Sequence, residues 1–158
     1  MHKMRWSSAI AVGAIVVIGA CAHDTYQQRA DLIKEHSDAF YTHLKANRVE
    51  SAIRENEQIE AMADEMGRTV RKRASLQGTT QVEREFALMK TAHEAAATNW
   101  LALGQYFAIK KQYPQARGTY QRVINTYGDS TDRPYREQAA RALQDLDILN
   151  PPSASSNP

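Results

Sequence analysis

Apolar residues recur three and four positions apart along most of this 158-residue chain, and that spacing limits what it can fold into. In a helix, positions three and four apart share a face; in a strand, positions two apart do. Tyr26, Ala30, Ile33, Phe40 and Leu44 form one such stripe, with Ser37 filling its gap. Val49, Ala52, Ile53, Asn56, Ile59, Met62 or Ala63, Met66 and Val70 form a second. A longer one runs through Val82, Phe86, Met89, Ala92 or His93, Ala96, Trp100, Leu103 and Phe107. Tyr135, Ala139, Ala142 or Leu143, Leu146 and Leu149 form the last. No stretch alternates every second residue with β-branched side chains, so the chain is expected to be all-α.

The breaks between stripes set the helix boundaries. Asp24 is placed to cap a helix reaching Ala46, and Asn47-Arg48 reads as a short turn. The second helix is expected over 49–73, packed antiparallel on the first because the turn is so short. Glu50–Arg54 and Asp64–Arg68 are favourable pairs four apart. Gly78 interrupts the pattern before a helix over 81–110. Tyr113-Pro114 marks the next start, since proline suits a first turn and not an interior. A fourth helix then reaches Tyr127, Gly128-Asp129-Ser130 ends it, and Thr131 or Asp132 caps a fifth with Pro134 in its first turn. Asn150-Pro151-Pro152 stops that helix, and the Ser-, Pro-rich residues 150–158 read as a disordered tail.

The N-terminus has a different character. Lys3 and Arg5 precede Ala9–Ala20, a run wholly apolar or glycine. It is shorter than the roughly 20 residues a permanent membrane helix needs. It suits a secretory signal. The run closes on Ile18-Gly19-Ala20-Cys21, which resembles the lipobox of bacterial lipoproteins. That resemblance implies cleavage after Ala20 and acylation of Cys21, making residues 1–20 a signal peptide and residues 21–23 a lipidated linker. Cys21 is the only cysteine, so no intramolecular disulfide can form. The alternative is a plain secretory signal followed by a free thiol. Several acyl chains on one residue anchor stably, at about 0.8 kcal/mol per buried methylene. Ala22 follows the cysteine where the family's inner-membrane retention signal has Asp, which implies an outer-membrane, periplasm-facing location.

Within the helical domain, residues 24–149, one segment is more specific. Trp100, Leu103-Gly104, Phe107, Tyr113, Ala116 and Tyr120 occur in one register. Counted from Ala97 to Ser130, they resemble a tetratricopeptide repeat (TPR), a helix-turn-helix of about 34 residues. Gly104 and Ala116 take the small positions where two antiparallel helices cross closely. Lys111 stands where glycine usually ends the first helix, Val123 where a later alanine falls, and Gly128 where proline closes the repeat. Tyr135-x-x-x-Ala139-Ala140-x-Ala142-Leu143 looks like the C-terminal capping helix such arrays carry. The resemblance implies antiparallel hairpins; the alternative is an ordinary five-helix bundle with coincidental Ala and Gly. Lipobox and TPR hairpin together are similar to the small outer-membrane TPR lipoproteins of envelope assembly.

Charge narrows the partners. The chain has 20 basic and 18 acidic residues, and without Lys3 and Arg5 the two balance. No nucleic-acid surface is expected. One basic cluster, Arg68, Arg71, Lys72 and Arg73, either touches anionic headgroups or peptidoglycan or is a solvated helix end that complements the C-terminal dipole. His36, His43 and His93 in principle offer a metal or haem site in a bundle; the plainer reading is boundary or core histidines. No Gly-x-Ser-x-Gly, His-Glu-x-x-His or Cys-x-x-Cys-His is present. No catalytic residue, cofactor or metal is therefore assigned.

The expected function is that of a lipid-anchored adaptor or scaffold that binds another envelope protein or peptide. The alternatives are a structural lipoprotein and an envelope enzyme or cofactor-binding bundle. The TPR resemblance implies partner binding by Thr98, Leu101, Gln105, Ala108 and Ile109 on the first helix's inner face. Leu101 and Ile109 would be exposed there unless the second hairpin or the end helix covers them. The family's Asn/Lys clamp for a chain terminus is missing, since Ala102 and Gln105 occupy two of its positions. An apolar helix or extended peptide is the expected ligand.

Overall fold

The computed structural model describes residues 18–73 and 79–151. Among them are helices α1 (Ile18–Lys45), α2 (Val49–Arg73), α3 (Thr79–Ile109), α4 (Tyr113–Thr126) and α5 (Arg133–Leu149), with a 3-10 turn at Ser130–Asp132 and no strand. The fold is all-α. Residues 1–17, most of the expected signal, and residues 152–158 of the expected tail lie outside the described residues.

Neighbours in sequence are neighbours in space: α1 packs on α2, α2 on α3, α3 on α4 and α4 on α5. The 31-residue α3 also touches α1 and α5, so it is the element that every other helix meets. That explains why its middle is buried nearly all round, at Ala96, Ala97, Asn99, Trp100, Leu101, Leu103 and Gly104. A helix surrounded on nearly all sides keeps only a narrow polar edge, here Thr98. The amphipathic α2, by contrast, buries one row: Ala52, Asn56, Ile59, Ala63 and Met66. The polar member of that row is satisfied. Asn56 donates to the Ala96 carbonyl oxygen (3.1 Å) and accepts from the Asn99 amide (2.9 Å), which pins α2 to α3.

Both short connections use the same turn. Asn47 and Lys111 are left-handed, with φ of 56° and 58°. The N–H of Asn47 bonds to the Leu44 carbonyl and that of Arg48 to His43. The second turn repeats this with Lys111 to Ala108 and Gln112 to Phe107. This is the Schellman arrangement, which satisfies the last carbonyls of a helix. The two turns lie at one end of the molecule, where the Tyr106 hydroxyl donates to Asn47 Oδ1 (2.8 Å).

Several expectations are corrected. α1 begins at Ile18, so its backbone is helical through residues 21–23, and Asp24 lies inside the helix instead of capping it. No proline interrupts Ile18–Asp24, so the backbone meets no obstacle to helix there. Asp132 makes no capping bond, because the 3-10 turn gives it helical dihedrals (φ −90°, ψ −3°) and its carboxylate turns inward to His93. Phe86 is 51% exposed, and Leu88 takes its place in the core. At about 100° per residue, Leu88 points about 40° from Ala92, whereas Phe86 points about 120° away. Leu149 is exposed at the end of α5; Leu146, one turn earlier, is the buried residue.

Candidate binding groove

The α3–α4 crossing is made by a missing side chain. A Cβ on Gly104 would lie 2.5 Å from Tyr120 Cε1 and 2.8 Å from Cδ1 and Cζ. Tyr120 is thus seated against the α3 backbone, and fully buried Ala116 one turn earlier keeps α4 close. The crossing is locked one layer away by Glu60 of α2. Its Oε1 accepts from Trp100 Nε1 (2.7 Å) and from the Tyr127 hydroxyl (2.8 Å), and its Oε2 accepts from Arg122 (2.8 Å). The Arg122 guanidinium lies 4.0 Å from the centroid of the Trp100 ring. One carboxylate thereby joins α2, α3 and α4. Burial, then the Glu60 charge and hydrogen bond, push the Tyr127 phenol far above its ordinary pKa, with Arg122 opposing.

On the other side of the crossing, α3 and α5 enclose a groove of ≈ 390 Å³. Thr98, Leu101, Ala102 and Gln105 come from α3, Tyr120 from α4, and Tyr135, Gln138 and Ala142 from α5. None of these carries a formal charge at neutral pH. Burial raises the Tyr120 phenol, with Asp145 adding to it. Burial likewise raises the Tyr135 phenol, followed by the Glu94 charge, against a hydrogen bond with Thr98. Both phenols therefore stay protonated. The groove offers hydroxyls and amides that give and take hydrogen bonds over an apolar floor.

Of the five residues expected to bind, the structure brings three together here: Thr98, Leu101 and Gln105. Leu101 is 7% exposed and forms floor rather than a projecting contact, because α5 packs across α3. Ala108 and Ile109 fall outside the groove lining. Ile109 is the last residue of α3 and is 73% exposed beyond α5's reach. Sequence reasoning missed the α5 wall, whose Tyr135 and Gln138 belong to the helix read only as a cap.

The histidines separate into two places. His36 Nδ1 and His43 Nε2 both face Glu55 of α2, at 2.7 Å and 3.7 Å. His93 Nε2 lies 3.1 Å from the buried Asp132 carboxylate and stacks edge-on against Tyr127. Among the described residues no group of three or more His, Cys, Asp or Glu is arranged to hold a metal ion. Compared with models of protein families, with curated proteins and with solved structures, the chain matches none of them.

Proposed function

We propose that this chain is a lipid-anchored adaptor of the bacterial envelope, held at Cys21, whose TPR-like α3–α5 unit binds an uncharged segment of another envelope protein. The observation that carries the binding half is the α3–α5 groove. It is open, uncharged, and edged by residues that the repeat register singles out. The repeat reading is supported by two further points. Gly104 and Tyr120 meet as the repeat's small and aromatic positions should. Lys111 adopts the left-handed backbone of the glycine it replaces. The anchoring half rests on the lipobox-like run ending at Cys21.

The occupant's chemistry follows from the walls. An anionic peptide side chain entering the groove would lose water and face the nearby Asp145 and Glu94 charges, and a cationic one would find no opposite charge among the lining residues themselves. A segment with small apolar side chains would keep its backbone hydrogen bonds to Thr98, Gln105 and Gln138 while covering Leu101. A photo-crosslinking residue at Gln105, within the groove, is expected to capture one envelope protein in stable yield. The same probe at Ile109, exposed but outside the groove, is expected not to capture it. Equal products from both positions, or none from Gln105, would defeat the proposal. Anchoring has its own test: Cys21→Ala should abolish palmitate incorporation, and unchanged labelling would remove the lipoprotein assignment.

A further inference from the structure

At the end of the bundle opposite the two short turns, three helix ends converge on a second cavity, of ≈ 390 Å³. The start of α1 gives it Tyr26 and Arg29, the end of α2 gives Arg73, and the first turns of α3 give Thr80, Gln81 and Arg84. Among the described residues its charges are unbalanced. Three guanidinium groups face one carboxylate, Glu85, which lies 3.0 Å from Arg29 and 3.9 Å from Arg73. The longer distance is no hydrogen bond, and Arg73 Nη1 is buried with no hydrogen-bond acceptor. Arg84 is exposed and has no ion pair among the described residues. The cavity also contains the opening turn of α3, whose backbone N–H groups have no partner within the helix and carry its positive dipole end.

We infer that this cavity binds the phosphate of an anionic phospholipid headgroup. Guanidinium forks and the N–H groups at a helix start are the donors that phosphate oxygens take. A lipid is favoured over free phosphate by the cavity's place on the chain, and this choice rests on the anchoring reading above. Arg29 stands two helical turns along α1 from Cys21, about 12 Å at 1.5 Å per residue. An arginine side chain covers much of that span, which brings the cavity to headgroup level beside the anchor. Arg68, Arg71 and Lys72 add further positive charge to the same end of α2, on its other faces.

The test uses the full, unprocessed chain in dodecyl maltoside micelles, which hold its N-terminal apolar run in place of an acyl anchor. Arginine Nε–H resonances are followed as micelles are doped with phosphatidylglycerol, with phosphatidylcholine, or as inorganic phosphate is added. Phosphatidylglycerol is expected to shift Arg29, Arg73 and Arg84 at concentrations that leave Arg133, at the start of α5, unmoved. Phosphatidylcholine should leave all four in place. Arg84→Gln should weaken the response about fivefold, as loss of one cation near an anionic surface does. Equal shifts at Arg133, no preference for phosphatidylglycerol, or saturation by inorganic phosphate with no lipid response would each overturn the inference. Because the micelle replaces the anchor, failure here would count against the cavity, whereas failure of palmitate labelling at Cys21 would count against the anchor.

Discussion

Gly104 allows the packing of α3 on α4 to be tested by adding a single methyl group. In an exposed helix, Gly→Ala stabilises by up to about 1 kcal/mol. Here the added Cβ would sit 2.5 Å from Tyr120 Cε1. Carbon atoms prefer about 3.5–4.0 Å, so the ring must retreat by roughly 1 Å. Tyr120 is 5% exposed, so the ring can retreat only by displacing packed neighbours or by tilting into the groove it lines. Overpacking of this kind costs about 1–3 kcal/mol, which outweighs the propensity gain. Gly104→Ala should therefore lower stability by about 1 kcal/mol, and Gly104→Leu by about 3 kcal/mol or more. In thermal melts this corresponds to roughly 3–5 °C per kcal/mol for a chain of this size. A double-mutant cycle identifies the cause. Combined with Tyr120→Ala, the Gly104→Ala change should become stabilising, because the clash is gone. If Gly104→Leu melted at or above the parent, Gly104 would not be a close crossing, and the groove built on that crossing would lose its geometry.

Three other outcomes are expected. Lys111→Gly should raise the urea midpoint by about 0.5–1 kcal/mol equivalent, because a side chain at positive φ is strained; Asn47→Gly should gain less, since Asn47 also accepts from Tyr106. Glu60→Ala should cost about 3 kcal/mol by stranding the Trp100 and Tyr127 donors, and Glu60→Gln less, because an amide oxygen still accepts from them. In alkaline titration followed by phenolate absorbance, Tyr127 should ionise only as the chain unfolds. Its folded pKa is raised, so the stability it contributes is complete below the unfolded value of about 10 and is lost as pH rises above that; a Tyr127→Phe variant with an unchanged phenolate yield before unfolding would agree, and a smaller one would contradict it.

Periodicity read the helices well where a helix has one buried face. α2 spans the expected residues, 49–73, and its stripe is the buried row. It read them poorly where several helices share a surface or where a helix ends. Spacing alone cannot say that Leu101 is enclosed, because that depends on α5 folding back over α3. Leu149 went astray for a related reason: it ends its helix, where an apolar residue at the right spacing can have no neighbour to meet, whereas Phe86 was put in the wrong register, about 120° round α3 from Ala92. The groove was half legible. The repeat register pointed to Thr98, Leu101 and Gln105 on one helix, and nothing local in Tyr135 or Gln138 marked them as its opposite wall. The Glu60 network was not legible at all, since its partners lie 40 and more residues away in sequence and nothing local in Glu60 marks it as their shared acceptor.

The two candidate sites are on one helix, and that has a mechanical consequence. The arginine cavity uses the first turns of α3 near Gln81, and the groove uses the stretch near Leu101. Twenty residues of helix separate them by about 30 Å. Screening removes the field of exposed charges within about 8 Å at physiological salt, so headgroup charge does not reach the groove. Contact between the ends must run through α3 itself. Between them α3 is clamped by the Asn56–Asn99 hydrogen bond, by Trp100 on Glu60 and by His93 on Asp132. Bending α3 there would break one buried and two half-buried polar contacts at once. The helix therefore acts as a rigid strut between the two sites. On the anchoring proposed above, it would set the groove at a fixed height above the anchored end, and a partner would meet it in the aqueous space beyond the headgroups, which would suit a groove whose lining residues are uncharged.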